Sequence, residues 1–139
     1  MSGVSKSPRR DWFADPMELV VRLCWLSLAL IHAPPALTAA SPRVIGRLYD
    51  VTPDGDVALL LAHRGVLFAC VAVAALTAAF HAPSRRLAVS VVGLSVGGFL
   101  ALYWRAGMPE ALRDVALADG TMLVPLLIVA FAAFCRRTS

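Results

Sequence analysis

Four long apolar segments, separated by short polar ones, dominate the pattern along the chain. They cover about residues 17–40, 57–80, 87–104 and 115–135. Each is close to the roughly 20 residues that a helix needs to cross the hydrocarbon core of a bilayer. Because a bilayer offers no water to backbone polar groups, and because these runs are rich in Ala, Leu and Val, each is predicted to be a transmembrane helix.

This pattern predicts an all-α fold, an integral membrane four-helix bundle in which residues 17–139 form a single domain. Residues 1–16 are polar and are predicted to form a cytoplasmic arm, with Trp12 and Phe13 at headgroup level. The first apolar run follows basic residues and precedes small ones, as in a signal peptide. The long polar arm and the acidic Glu18 favour a retained span instead.

The composition agrees with a membrane protein, because 59% of the residues are hydrophobic and only 16% are charged. The net charge is +4, and basic residues cluster at the ends of the spans: Lys6, Arg9, Arg10, Arg85, Arg86, Arg136 and Arg137. Such clusters mark cytoplasmic loops, so both termini and the turn HAPSRR are predicted to be cytoplasmic. The loops 41–56 and 105–114 then face outside. This orientation explains the positive charge without a nucleic-acid partner.

Prolines are predicted to shape two of the spans. The APP segment at 33–35 ends or kinks the first helix near its outer end, and Pro125 kinks the fourth. A stripe of small residues, Gly93, Gly97 and Ala101, recurs every four residues along the third span. Such a stripe lets another helix approach closely. Packing inside the bundle is the preferred interpretation, and a homodimer seam is the alternative.

Polar side chains collect in the outer half of the predicted bundle, once each span is given its direction. Six lie there: His32, His63, Arg64, Tyr103, Arg105 and Asp119. The cytoplasmic half carries Glu18 and Arg22, spaced i, i+4 for an ion pair. An arginine facing lipid costs at least ~2.5 kcal/mol on insertion scales. Arg64 must therefore snorkel to the outer surface or face the bundle and pair with an acid such as Asp119.

Two interpretations fit this cluster. One is a structural network that ties the second helix to the outer loops, because short membrane bundles use polar residues as interhelical links. The other is a polar pocket open to the outside, lined by His32, His63, Arg64 and Tyr103. The two histidines at similar depth would suit a b-type haem, but Arg64 crowds them. No cofactor and no metal site is the simpler expectation, since HExxH and similar spacings are absent.

The Walker lysine motif and GxGxxG do not occur in the sequence. Residues 93–97 (GLSVG) match the letters of GxSxG, but Ser95 lies inside a predicted span and nothing pairs it with a base. A non-catalytic protein is therefore the expectation. A membrane enzyme using His63 as a base and Arg64 as an anion clamp is a further possibility.

The order IHAPP, then GRLYDV, then LLAHRGVLFAC resembles a group of small bacterial four-helix membrane proteins with a DoxX-like layout. The resemblance covers nearly the whole chain and implies a four-helix fold in the bacterial inner (cytoplasmic) membrane. Some of these proteins carry the label phosphopantetheine adenylyltransferase. That activity needs a soluble nucleotide-binding fold and an HxGH-type phosphate motif, which this sequence does not contain.

The sequence as a whole favours an accessory or assembly subunit of a larger membrane complex, with the lipid bilayer and other membrane subunits as its partners. Short loops, the small-residue face and the missing catalytic motifs support this interpretation. The alternative is a protein that binds a lipid, a quinone or haem in the polar pocket of the outer half.

Overall fold

The computed structural model describes residues 15–49, 52 and 54–135, and this part of the chain is helical and contains no strand. Its helices are α1 (Pro16–Ala36), α2 (Pro42–Tyr49), α3 (Gly55–Phe80), α4 (Arg85–Arg105), α5 (Arg113–Thr121) and α6 (Leu123–Cys135). Short 3₁₀ turns occupy Leu37–Ala39, Ala82–Ser84 and Glu110–Leu112.

Within the described part of the chain, four helical segments are long and apolar enough to cross a membrane: Pro16–Ala39, Gly55–Phe80, Ala82–Arg105 and Glu110–Cys135. They match the four predicted apolar helices to within a few residues, except that the third and fourth segments each begin five residues early. Many large apolar side chains on them are exposed, including Leu30 at 73% and Leu94 at 78%. Exposure on this scale is typical of a membrane protein, whose apolar surface faces lipid. The predicted N-terminal arm up to residue 14 and the basic C-terminal residues 136–139 lie outside the described residues.

Helix α1 begins and ends where its sequence signals lie. The Asp15 carboxylate accepts a hydrogen bond from the Met17 N–H at 2.9 Å, and Pro16 occupies the first helical position. At the other end, Pro34 and Pro35 have no N–H to donate to the carbonyl groups four residues before them. The α-helix ends at Ala36 and a 3₁₀ turn follows, which confirms the predicted effect of the proline pair.

The segment predicted as the loop 41–56 contains a helix, and that part of the prediction is wrong. The Ser41 hydroxyl accepts from the Arg43 N–H at 3.3 Å, and Pro42 is the first residue of α2. Ile45 of this helix is buried, whereas Arg43 and Arg47 are exposed. The Ser-Pro start and the two-sided pattern are helix signals that a search restricted to long apolar runs overlooks.

The fourth span is divided into α5 and α6, which meet at Met122. Pro125 lies in the first turn of α6 and cannot donate a backbone hydrogen bond to Thr121. The Thr121 side chain also bonds within the preceding turn, because its hydroxyl donates to the Ala118 carbonyl at 2.7 Å. The interruption within one turn of Pro125 agrees with the predicted disturbance of this helix.

The spans form a ring in which α1 contacts α3 and α6, and α4 contacts the same two helices. We call the end with Asp15, the turn Ala82–Ser84 and Cys135 the proximal end, and the end with α2 and Glu110–Leu112 the distal end. The close-packed core lies in the proximal half and at mid-depth. It comprises Val21, Trp25, Leu28, Ala75, Ala78, Ala79, Ala88, Val92, Val96, Leu126 and Val129.

An ion pair joins three helical segments at the proximal end. Glu18 accepts from Arg22 at 3.3 Å, which confirms the predicted i, i+4 pair, and from Arg85 Nη1 at 3.0 Å. Arg85 also donates through Nε to the Ala78 carbonyl at 3.1 Å, and its side chain is only 12% exposed. Arg85 is therefore a bundle residue, although the sequence pattern placed it in a basic loop.

Candidate functional site

A cleft of about 490 Å³ separates α3 from α4 in the distal half. Its walls are mostly aliphatic and aromatic, with the polar side chains Arg64, Ser95 and Tyr103 among them. Leu94 and Leu102 border it and are 78% and 64% exposed, so the cleft opens sideways, toward the lipid-facing surface. Its size is within the ~300–1,000 Å³ range of small-molecule sites, which are typically apolar with a few placed polar groups.

Arg64 is held in the cleft wall by two aromatic rings. Its guanidinium carbon lies 5.2 Å from the centroid of Phe68 on α3 and 5.7 Å from that of Phe99 on α4. Phe68 follows Arg64 by one helical turn, so the two share a face of α3. Cation–π contacts of this kind stabilise a positive charge, and they do so most strongly where water is excluded. The side chain is half-buried, so Arg64 takes the inward direction that the sequence left open.

The α4 wall depends on the way this helix ends. The Met108 N–H donates to the Tyr103 carbonyl at 3.0 Å, and the Gly107 N–H donates to that of Trp104 at 3.1 Å. These are the two bonds of a Schellman cap, and Gly107 has the left-handed φ of +79° that the cap requires. The cap turns the chain so that Pro109 also borders the cleft.

Tyr103 and Phe99 form the aromatic part of that wall. Their ring centroids lie 6.1 Å apart at an interplanar angle of 25°. The two residues are one helical turn apart on α4, as Arg64 and Phe68 are on α3. Arg64 and Tyr103 were predicted from the sequence as polar residues of this region, whereas Phe68 and Phe99 were not. The i, i+4 spacing of each aromatic ring from a polar partner is the signal that identifies them.

His32 and Asp119 lie behind this wall and contribute charge and hydrogen bonding. His32 is 2% exposed, and its Nδ1 donates to the Leu28 carbonyl at 2.7 Å. Its ring lies 5.8 Å from that of Phe68. Asp119 of α5 is half-buried and interacts electrostatically with both His32 and Arg64. The structure therefore brings together His32, Arg64, Asp119 and Tyr103 of the six predicted polar residues.

His63 and Arg105 take no part in the cleft wall. Both are exposed, and neither borders the cavity. Successive residues of a helix point about 100° apart, so His63 and Arg64 cannot both face the same neighbour. One histidine is buried and the other faces outward, so the described structure does not bring together the two axial ligands of the haem hypothesis. No group of three or more His, Cys, Asp or Glu among the described residues could hold a metal ion.

The small-residue stripe on α4 faces away from the other described helices. A Cβ added to Gly93 or Gly97 meets no atom within 4 Å, and Ala101 is exposed. Among the described residues, no other helix packs closely against these two glycines, and the role of the stripe in helix packing stays a prediction. A glycine that does permit a close approach is Gly65 of α3, which contacts the turn Leu37–Ala39.

The chain matches no family model, no curated protein and no solved structure. The resemblance to DoxX-like four-helix proteins therefore stays a prediction. The function of the cleft is inferred from its own residues.

Proposed function

We propose that this chain is a non-catalytic membrane protein that holds a small amphiphilic molecule in the cleft between α3 and α4. The observation that carries the proposal is the position of the Arg64 guanidinium, between two aromatic rings in an otherwise apolar, ligand-sized cavity. A membrane-embedded arginine is costly, and such residues mark functional sites by default. The amphiphile would place its polar end at Arg64 and its apolar part between the helices.

The side opening of the cleft supports entry from the bilayer. Leu67 of α3 and Leu94 of α4 border the cavity and are exposed on the surface that lipid covers. A molecule dissolved in the membrane can therefore reach Arg64 without crossing the packed core. The proposed location is the bacterial inner membrane, with the proximal end in the cytoplasm, as the basic clusters near the turn Ala82–Ser84 favour.

A second candidate is the accessory or assembly subunit of a larger membrane complex. The outward position of Gly93 and Gly97 favours it, because a helix of another subunit could approach the α4 backbone there. The two candidates use different faces of α4. Gly98 borders the cleft, whereas Gly97 does not.

Purification from native membranes in a mild detergent tests both candidates on one sample. Mass spectrometry of the protein peak identifies co-purifying subunits, and extraction followed by mass spectrometry identifies bound small molecules. Gly98→Leu fills the cleft, and Gly97→Leu is its matched control one residue away on the same helix. Loss of a bound molecule only in Gly98→Leu supports the binding protein. A stoichiometric partner that is lost only in Gly97→Leu, together with no bound molecule in the wild type, would overturn the binding function. The protein would then be an accessory subunit.

A further inference from the structure

The polar side chains that line the cleft are mainly hydrogen-bond donors. Arg64, Ser95 and Tyr103 are the polar side chains that line it, and none of the described lining residues is Asp or Glu. A guanidinium offers five N–H donors, carries no acceptor and stays charged at any physiological pH. The two hydroxyl groups can donate as well as accept. A ligand head rich in acceptors complements this set better than one rich in donors.

Two aromatic rings contact the Arg64 guanidinium and hold it in the cleft wall. Phe68 and Phe99 lie within 5.7 Å of its guanidinium carbon and interact through their ring faces. The N–H groups lie in the guanidinium plane, where they suit the paired oxygens of a carboxylate or a phosphate. A cation that is half-buried among apolar side chains gains from an opposite charge, because the local dielectric is lower than that of water. This charge complementarity favours an anion over a neutral carbonyl head such as that of a quinone.

Asp119 sets the strength of this preference. Its carboxylate interacts electrostatically with Arg64, yet Asp119 is not a cleft-lining residue. Arg64 therefore borders the cavity and also interacts with an acid of the protein on α5. Bidentate donors allow one guanidinium to serve two acceptors, but the two negative charges compete for the same cation. Removing the Asp119 charge should consequently strengthen the binding of an anion.

The apolar part of the cleft runs along α3 from Arg64 toward the proximal end. Leu67, Phe68 and Val71 line it, and Val71 is seven residues, or about 10 Å, from Arg64 along the helix. Leu94 lies on the facing helix. An aliphatic chain extending from a head at Arg64 would bury its first part here, and any longer part can continue into the bilayer through the side opening.

We infer that the cleft binds an amphiphile whose head is an anion, a carboxylate or a phosphate, at Arg64, with an aliphatic chain along Leu67, Val71 and Leu94. This inference rests on the proposed function and specifies its ligand. A fatty acid and an anionic phospholipid both supply this chemistry.

The test uses the purified full-length chain, delipidated in detergent and then given one probe at a time: oleate, dioleoylphosphatidylglycerol, dioleoylphosphatidylcholine or ubiquinone. Retention is measured by native mass spectrometry. The wild type should retain oleate or the anionic phospholipid at least about tenfold better than the other two probes. In Arg64→Gln the retention of that anionic probe should fall at least about tenfold. Arg64→Lys should keep part of it, Asp119→Asn should increase it, and Gly97→Leu should leave it unchanged. Which of the two anionic probes is retained identifies the source of the head.

Gly98→Leu separates the two levels of the proposal. If neutral ubiquinone or phosphatidylcholine is retained as well as the anionic probes, and Gly98→Leu displaces it, the anionic head is overturned while the proposed function stands. If Gly98→Leu displaces no probe, both are overturned. Should Arg64→Gln fail to fold, Gly98→Leu and Asp119→Asn decide the question. Gly98→Leu should lower the retention of the anionic probe and Asp119→Asn should raise it. An unchanged retention in Asp119→Asn contradicts the inference.

Discussion

Gly65 of α3 lies directly against Thr38 in the turn that follows α1. A Cβ at Gly65 would overlap the Thr38 hydroxyl and come within 2.5 Å of the Ala39 nitrogen. The same hydroxyl donates to the Pro35 carbonyl at 2.7 Å and lies 3.4 Å from the Leu61 carbonyl. The end of α1 and the distal part of α3 are therefore joined at a point where backbone meets backbone.

Gly65→Ala should lower the free energy of unfolding by about 1–3 kcal/mol, because backbone at Ala39 cannot move aside as a flexible side chain can. Unfolding in mixed detergent micelles measures the change. Gly97→Ala is the control, since its added methyl group meets no neighbour and its helix propensity improves by up to ~1 kcal/mol. Equal stability of Gly65→Ala and the wild type would show that the contact at Thr38 is not close.

Arg85→Gln should destabilise the bundle by about 1–3 kcal/mol, because it leaves the carboxylate of Glu18 without its main partner in a mostly buried position. Glu110→Gln is the matched control. Its partner Arg113 is 4.0 Å away, and both side chains are largely exposed, so the change should stay under about 0.5 kcal/mol. Similar losses in both variants would contradict the structural role of the proximal pair.

Gly107→Ala should cost about 1 kcal/mol, because a residue with a Cβ is strained at the φ of +79° that caps α4. Gly93→Ala, inside the same helix and in open space, should not destabilise the protein. Thermal unfolding of the two variants in the same detergent measures the difference. If the melting temperature of Gly107→Ala equals or exceeds that of Gly93→Ala, the proposed cap of α4 is contradicted.

The proposed orientation is tested by cysteine labelling in a variant from which Cys24, Cys70 and Cys135 have been removed. An impermeant maleimide should label Arg43→Cys in intact spheroplasts, because Arg43 is an exposed residue at the distal end. His81→Cys, exposed at the proximal end, should react only after the membrane is permeabilised. The reverse pattern would invert the orientation, and labelling of both from one side would contradict the spanning of α3.

The spans were predictable because uninterrupted apolar sequence has one stable arrangement in lipid, and Asp15, Pro16 and Pro34 mark the ends of α1 by local rules. Arg64 and Tyr103 were likewise identified from their depth. The choice between His63 and Arg64 was not predictable, because it depends on the rotation of α3 about its axis. That rotation is set by the packing of α3 against α1 and its following turn, which includes the close contact at Gly65.

The two halves of the bundle are packed unequally. The stability of the fold and the rate of ligand exchange through the cleft therefore depend on different parts of the molecule. The core between Trp25, Ala78 and Val92 and the ion pair at Glu18 hold the proximal half, whereas α3 and α4 are parted by the cleft at the distal half. Local separation of these two helices breaks few of the contacts that keep the protein folded. We therefore expect a small, local opening to set the residence time of the proposed ligand, so that a more stable bundle need not release it more slowly.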